Sequence, residues 1–418
     1  MTQDTLLRQI TDYANRADPY PLYTELRKKP VRQEGAELFV VSTYWEIKSL
    51  LHDPRISSDA RNLSPGAAGT LLQEEEASPL PPAFLRLDPP EHDRLRRMTM
   101  RPFGPPETPR RVHNMRGELA RIVTDLIDGF GDRKQVDIVD DFSYPFPVTV
   151  ICRLLGIPRE DEARFHSWAD IIAAGLDPDP DQDPGERRRV TQQARTELGM
   201  YLSGLIDERS GAPGDDMLSE LVTQHGPDGQ MTRMEVLSTA ALLLIAGHET
   251  TVNLITNGML TLLRNPDVLE RLRNDSRLAV PLVEELLRFE PPVQLLPQRT
   301  TLADIDIAGT TIPEGASVWL VLASGNRDPK RFPDPDRFDP DRQDIQHLGF
   351  GSGIHNCFGA PLARLEAQLA LTELAHRLDG PRLVEDPPPY RQNAVLRGPR
   401  HLNVAFDGLR TRGRLFGT

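Results

Sequence analysis

Between Thr232 and Asn265-Pro266 the chain runs for about 32 residues without a proline, and most of them are apolar. Thr232-Arg233-Met234-Glu235 fits a capping box at its start. At ~1.5 Å per residue the segment makes a helix of roughly 48 Å, long enough to cross a large domain. A helix apolar nearly all round is a buried one, so the other elements must pack around it. Near its middle sits Ala246-Gly247-His248-Glu249-Thr250-Thr251. A threonine there can bond back to the preceding turn, but a buried glutamate needs a basic partner, and Gly247 costs about 1 kcal/mol against alanine. Leu242, Ile245, Ala246, Glu249 and Thr250 fall on one face, bulky and apolar, then small, then polar. Such a face suits a flat group with an apolar ligand beside it. His248 points away from it.

The second constraint is Phe350-Gly351-Ser352-Gly353-Ile354-His355-Asn356-Cys357-Phe358-Gly359, followed by Ala360-Pro361-Leu362-Ala363-Arg364. Gly351 and Gly353 permit a tight loop. The run after Gly359 is rich in helix formers, which places Cys357 just ahead of a helix start, where amide groups and the dipole favour an anionic sulfur. Taken alone, Cys357 reads equally well as a metal ligand or as a small buried residue in a Gly-rich turn.

The whole stretch resembles the haem-binding loop of the cytochrome P450 family, Phe-Gly-x-Gly-x-His-x-Cys-x-Gly with Leu-Ala-Arg behind it. The resemblance implies a mainly α, triangular-prism fold with a small β region, and haem b held by Cys357 as the thiolate ligand of iron. It makes Phe350, Gly351, His355 and Gly359 haem contacts. The segment around Gly247 resembles the family's Ala/Gly-Gly-x-Asp/Glu-Thr motif, with Ala246 and Gly247 beside the haem, Glu249 as acid and Thr250 as alcohol of a proton relay. Asp88-Pro89-Pro90-Glu91-His92-Asp93-Arg94-Leu95-Arg96 resembles the helix whose His92 and Arg96 bind haem propionates, with Arg299 as a third base. Glu285-Leu286-Leu287-Arg288 and Pro335-Asp336-Arg337-Phe338 resemble two further motifs, which makes Glu285, Arg288 and Arg337 a buried structural triad. Leu242, Ile245, Ala246, Val293, Leu295 and Val395 are the expected substrate contacts. Phe358 and Gly349 stand where leucine and alanine are common, which could alter hydrogen bonding at the sulfur.

The activity implied is a monooxygenase that inserts an atom of O2 into a small apolar organic substrate such as a terpenoid, steroid, macrolide or fatty acid. Electrons would come from NAD(P)H through a separate reductase and ferredoxin, since no flavin or iron–sulfur motif is present. The rival readings are a haem-thiolate gas binder without turnover, which would have no use for Glu249 and Thr250, and a peroxide-driven oxidase. The net charge of −13 argues against nucleic acid. Against that background Arg94, Arg96, Arg97, Arg101, Arg110 and Arg111 form a basic patch suited to an acidic ferredoxin.

Two cysteines form no disulfide framework, and Cys152 in an apolar run is core. With no signal pattern and no span of roughly 20 apolar residues, a cytoplasmic protein is expected, monomeric and without a membrane segment. Residues 1–418 read as one domain with flexible ends at about 1–15 and 408–418. Loops at 57–82 and 174–185 are expected to be mobile, and 57–87 with 174–185 to form a lid over the substrate. Strands are expected at 37–42, 135–141, 291–297, 305–312, 317–322 and 402–406.

Overall fold

The computed structural model describes residues 5–64, 81–104, 110–176 and 183–411. Five helices frame the interior: α1 (Glu91–Phe103), α2 (Pro145–Leu155), α3 (Arg233–Arg264), α4 (Ala279–Phe289) and α5 (Ala360–Arg377). The capping box forms at α3, where Thr232 Oγ1 accepts the Glu235 N–H and Glu235 Oε2 accepts the Thr232 N–H. From Val252 to Leu262 every residue of α3 is buried. The α4 and α5 helices close in behind it at Gly258, where a Cβ would sit 2.8 Å from Leu371 and 3.0 Å from Leu286. No helix among the described residues is long and apolar enough to cross a membrane.

Beside the helices lies a five-stranded sheet of β1 (Val31–Gln33), β2 (Leu38–Val41), β3 (Ile56–Ser57), β4 (Leu296–Thr301) and β5 (Ser317–Leu320), in the order β1-β2-β5-β4-β3. Its β2 and β5 strands run parallel, Leu38 against Ser317 and Val41 against Leu320. The Tyr44 N–H then donates to Asp328, 284 residues further on. A smaller sheet joins Gln135–Asp137, Asn403–Ala405 and Arg382–Leu383.

Several local expectations need correction. The strand expected at 291–297 begins only at Leu296, and its pairing shifts register between Leu296 and Arg299. Pro297 lies in that interval and has no N–H to give to the ladder. The stretch 305–312 is a hairpin, reversed at Ala308 and Gly309, both with positive φ. Only Gln135–Asp137 is extended in 135–141, and Val139–Ser143 coils into a wide helical turn. Within the ends expected to be flexible, Leu6–Thr11 is helical and Gly408–Leu409 pairs with Leu378–Asp379. Much of the expected lid, at 65–80 and 177–182, lies outside the described residues.

Candidate active site

Cys357 and α3 face each other across a cavity of about 260 Å³. The loop carrying Cys357 is shaped by glycines. Gly351 and Gly353 have φ of +68° and +69°, and a Cβ on Gly353 would overlap the Leu51 carbonyl oxygen. A Cβ on Gly349 would lie 2.5 Å from the Leu287 carbonyl oxygen, so glycine there is a packing requirement of α4 and not a tuning of the sulfur. The Cys357 N–H closes the loop on the Phe350 carbonyl at 2.9 Å. Phe358 stacks edge-on against Phe84 and Phe103.

Sulfur chemistry at Cys357 is a contest. Burial pushes the thiol above its ordinary pKa, whereas the Gly359 and Ala360 amides at the start of α5 and the Arg96 guanidinium pull it down. The helix start offsets only part of that push, and a cation at the sulfur would offset more.

On the opposite wall stand Leu242, Ala246, Gly247, Thr250 and Thr251. The Thr250 hydroxyl donates to the Ala246 carbonyl at 2.8 Å. A Cβ on Gly247 would sit 2.9 Å from Ile151 Cδ1, so this glycine lets α2 approach α3. Thr251 borders the cavity as well.

At one edge His92, Arg96, Arg299 and His355 converge. The His92 and His355 rings lie 4.4 Å apart. His92 Nε2 and both ring nitrogens of His355 lack a hydrogen-bond partner among the described residues. Burial, then His92, Arg299 and Arg96, lower the His355 pKa to about 3, while burial and repulsion from Arg86 lower that of Arg299 to about 10. Arg96 donates to the Asn356 carbonyl at 2.5 Å. Donors crowded this way, with their polar atoms unmatched, call for an anionic group at this edge of the cavity. The residues therefore fit haem: Cys357 for the iron, the basic edge for the two propionates, and a small-residue face for the flat ring.

Other expectations meet the structure less well. Glu249 is not on the cavity wall. It is buried off the cavity, where its Oε1 lies 3.0 Å from Arg391 Nε. Ile245, Leu295 and Val395 also lie off the wall, and Leu295 is packed in the N-terminal core with Tyr20 and Val40, whereas Val293 borders the cavity. Arg337 is no member of a buried triad. Its side chain is 66% exposed beside Asp339, and only its carbonyl reaches Arg288. Glu285 and Arg288 are fully buried and doubly bonded at 2.7 Å, and the second guanidinium at Glu285 is that of Arg342, 3.4 Å away.

The basic patch is largely paired within the chain. Arg94 meets Glu235, Arg97 and Arg101 share Asp228, and Arg111 meets Glu220. Glu366 was not anticipated. It lines the cavity from α5 with Oε1 lacking a partner, and burial pushes its pKa well above the usual carboxylate value. The signal available was a lone carboxylate on the face shared with Leu362, four residues earlier.

Comparison with known proteins agrees with this geometry. The Cytochrome P450 family model matches residues 37–406. The chain is 42% identical over 413 residues to the cytochrome P450 monooxygenase PikC of Streptomyces venezuelae, covering 96% of this chain and 94% of that one. It is 38% identical over 406 residues to 6-deoxyerythronolide B hydroxylase of Saccharopolyspora erythraea, covering 94% and 96%. The structure of CYP164A2 of Mycobacterium smegmatis superposes with a TM-score of 0.84 at 41% identity, covering 96% of this chain and 99% of that one. A cysteine loop, a basic edge and a small-residue helix face enclose one cavity here, and the kinship spans almost the whole chain. It therefore belongs to the cytochrome P450 family, as a haem-thiolate monooxygenase that uses haem b, O2 and electrons drawn from NAD(P)H through redox partners to hydroxylate an organic substrate.

Proposed function

We propose that the substrate is a large apolar molecule of macrolide or steroid kind, oxidised between Cys357 and the Ala246–Thr250 face. The observation that carries this reading is the wall opposite Cys357. Leu242, Leu243, Ile151, Leu154, Val293 and Leu296 present hydrocarbon there, and the Thr250 hydroxyl stands among them. Burying such a substrate is worth about 25 cal/mol per Å² of apolar surface, enough to hold it without a charged anchor. The relatives named for 6-deoxyerythronolide B and vitamin D3 hydroxylation support the size class. When bound, haem supplies the iron at which O2 is activated. The chain excludes bulk water and places a hydroxyl where a proton must be handed on.

Thr250→Ala is the test, with 6-deoxyerythronolide B as trial substrate. Alanine keeps the helix, so haem content should be unchanged. Product per NAD(P)H is expected to fall about tenfold, within the range for losing one acid–base group, with the missing electrons recovered as hydrogen peroxide. Thr250→Ser should restore most of the yield. Because Thr251 also borders the cavity, Thr251→Ala is a comparison and not a silent control. Equal yield in wild type and Thr250→Ala would remove Thr250 from proton handling.

The electron donor we propose is a ferredoxin. Arg96 and Arg110 of the cluster make no ion pair among the described residues, so their charges stay open on the face that reaches Asn356 beside Cys357. Reduction by an acidic ferredoxin should slow as salt rises and the Debye length falls to about 8 Å. Arg97→Glu should flatten that dependence, because Arg97 is the more exposed partner of Asp228. A rate insensitive to both would place the donor elsewhere. A monomer in the cytoplasm, where Cys152 and Cys357 stay unbridged, completes the reading.

A further inference from the structure

We infer that Arg364 and Glu284 are opposed charges beside the cysteine loop that together set how readily the protein takes up an electron. Arg364 favours uptake and Glu284 restrains it. The inference rests on Cys357 as the iron ligand and adds two residues outside the substrate cavity. They share a separate surface hollow with Phe350, Gly351 and Asn356 of the cysteine loop.

Glu284 and Glu285 are consecutive on α4, about 100° apart around its axis, and take different partners. Glu285 turns inward to Arg288. Glu284 turns toward α5, where Arg364 Nε donates to its Oε1 at 2.6 Å and Nη2 to its Oε2 at 2.9 Å. His347 Nε2 also lies 3.1 Å from Oε2. Because His347 Nδ1 accepts the Gly349 N–H at 3.0 Å, the ring hydrogen sits on Nε2 and is donated to Glu284. Burial would raise the Glu284 carboxyl, but the bonds from His347 and Arg364 outweigh it and hold its pKa down at about 2. The carboxylate is therefore ionised at any working pH.

The pair bears directly on the loop. The Arg364 guanidinium lies 4.6 Å from the centre of the Phe350 ring, and the His347 ring flanks it at 5.8 Å. Phe350 supplies the carbonyl that holds the Cys357 N–H. Two arginines favour an anionic sulfur at Cys357: Arg96, at the basic edge, and Arg364. Electron uptake adds negative charge at the iron and its ligand. A half-buried cation close by favours that change, and a carboxylate bound to the cation cancels much of its field. A merely mechanical tie between α4 and α5 would respond alike to the loss of either partner. Opposed charges respond with opposite sign.

The test is the one-electron reduction potential of the haem-loaded protein, measured against reference dyes with no ferredoxin present. Glu284→Gln removes the negative charge at constant size, and should favour reduction about threefold, or about 30 mV for one electron. Arg364→Gln should disfavour it by a similar factor. The double variant, with neither charge, should return close to wild type, the sign of a coupled pair. His347→Gln disturbs the same network without a change of charge and should shift the equilibrium less than about 1.5-fold. Shifts of one sign in both single variants would overturn the inference, as would a shift in His347→Gln as large as that in Glu284→Gln. Glu284→Gln is nearly isosteric and decides by itself if Arg364→Gln fails to load haem: an unchanged or lowered potential overturns the inference. The carbon monoxide band of the reduced protein reads the ligand separately. Its absence from wild type would overturn both the Cys357 assignment and the pair, whereas a normal band with shifts of one sign overturns the pair alone.

Discussion

Cys357→Ala is expected to abolish the red-shifted Soret band of the reduced carbon monoxide adduct altogether. The loop around this position is closed by backbone groups, the Cys357 N–H on the Phe350 carbonyl and the left-handed Gly351 and Gly353, none of which needs the thiol. Deleting the sulfur, which opens onto the cavity, should therefore cost at most about 1 kcal/mol of stability, a small fraction of the total. What disappears is the sulfur facing Thr250 across the cavity. Haem could still settle on the basic edge of His92, Arg96, Arg299 and His355, with a different group at the iron. The expected product is a coloured, folded and inactive protein. Survival of the band would show that another side chain supplies the thiolate-like ligand.

The second large effect belongs to Arg288→Leu. This guanidinium is fully buried, grips Glu285 with two bonds at 2.7 Å, and donates to the carbonyls of Asn326, Pro335 and Arg337. Its removal strands a carboxylate and three carbonyl groups. Breaking a buried pair this way costs about 3–5 kcal/mol, much of a typical domain's stability. Little haem-loaded protein should be recovered. Two milder variants separate the partners: Arg337→Ala should change the urea midpoint by less than the equivalent of about 1 kcal/mol, as for an exposed ion pair. Arg342→Ala should lower it clearly more, since its guanidinium reaches Glu285 and the Pro333 and Asp334 carbonyls. Equal losses would restore Arg337 to the triad.

Features set by neighbours in the chain were legible before any coordinates. The capping box, the length of α3, the glycines of the cysteine loop and the helix after Gly359 all follow from residues within a few positions of one another. Choices settled by distant partners were not. Helical spacing put Glu249 and Thr250 near one face, but they differ by 100° around the axis, and Arg391, 142 positions away, decides which side the acid takes. Arg337 and Arg342 lie in the same loop, and nothing local says which side chain turns inward. The arginines of 94–111 looked free because Glu220, Asp228 and Glu235 belong to a later segment. Gly349 invited a chemical reading, when the reason for it is the Leu287 carbonyl.

The parallel pairing of β2 with β5 also bears on how the chain is made. Tyr44 finds its Asp328 partner only after 284 more residues have been added. At about 5–20 residues per second on the ribosome, that is roughly 15–60 s during which the apolar strand Phe39-Val40-Val41 has β1 on one edge and nothing on the other. Contacts this distant in sequence form late and slowly. Until then the β1–β2 pair presents the open edge of β2 to whatever attends the nascent chain.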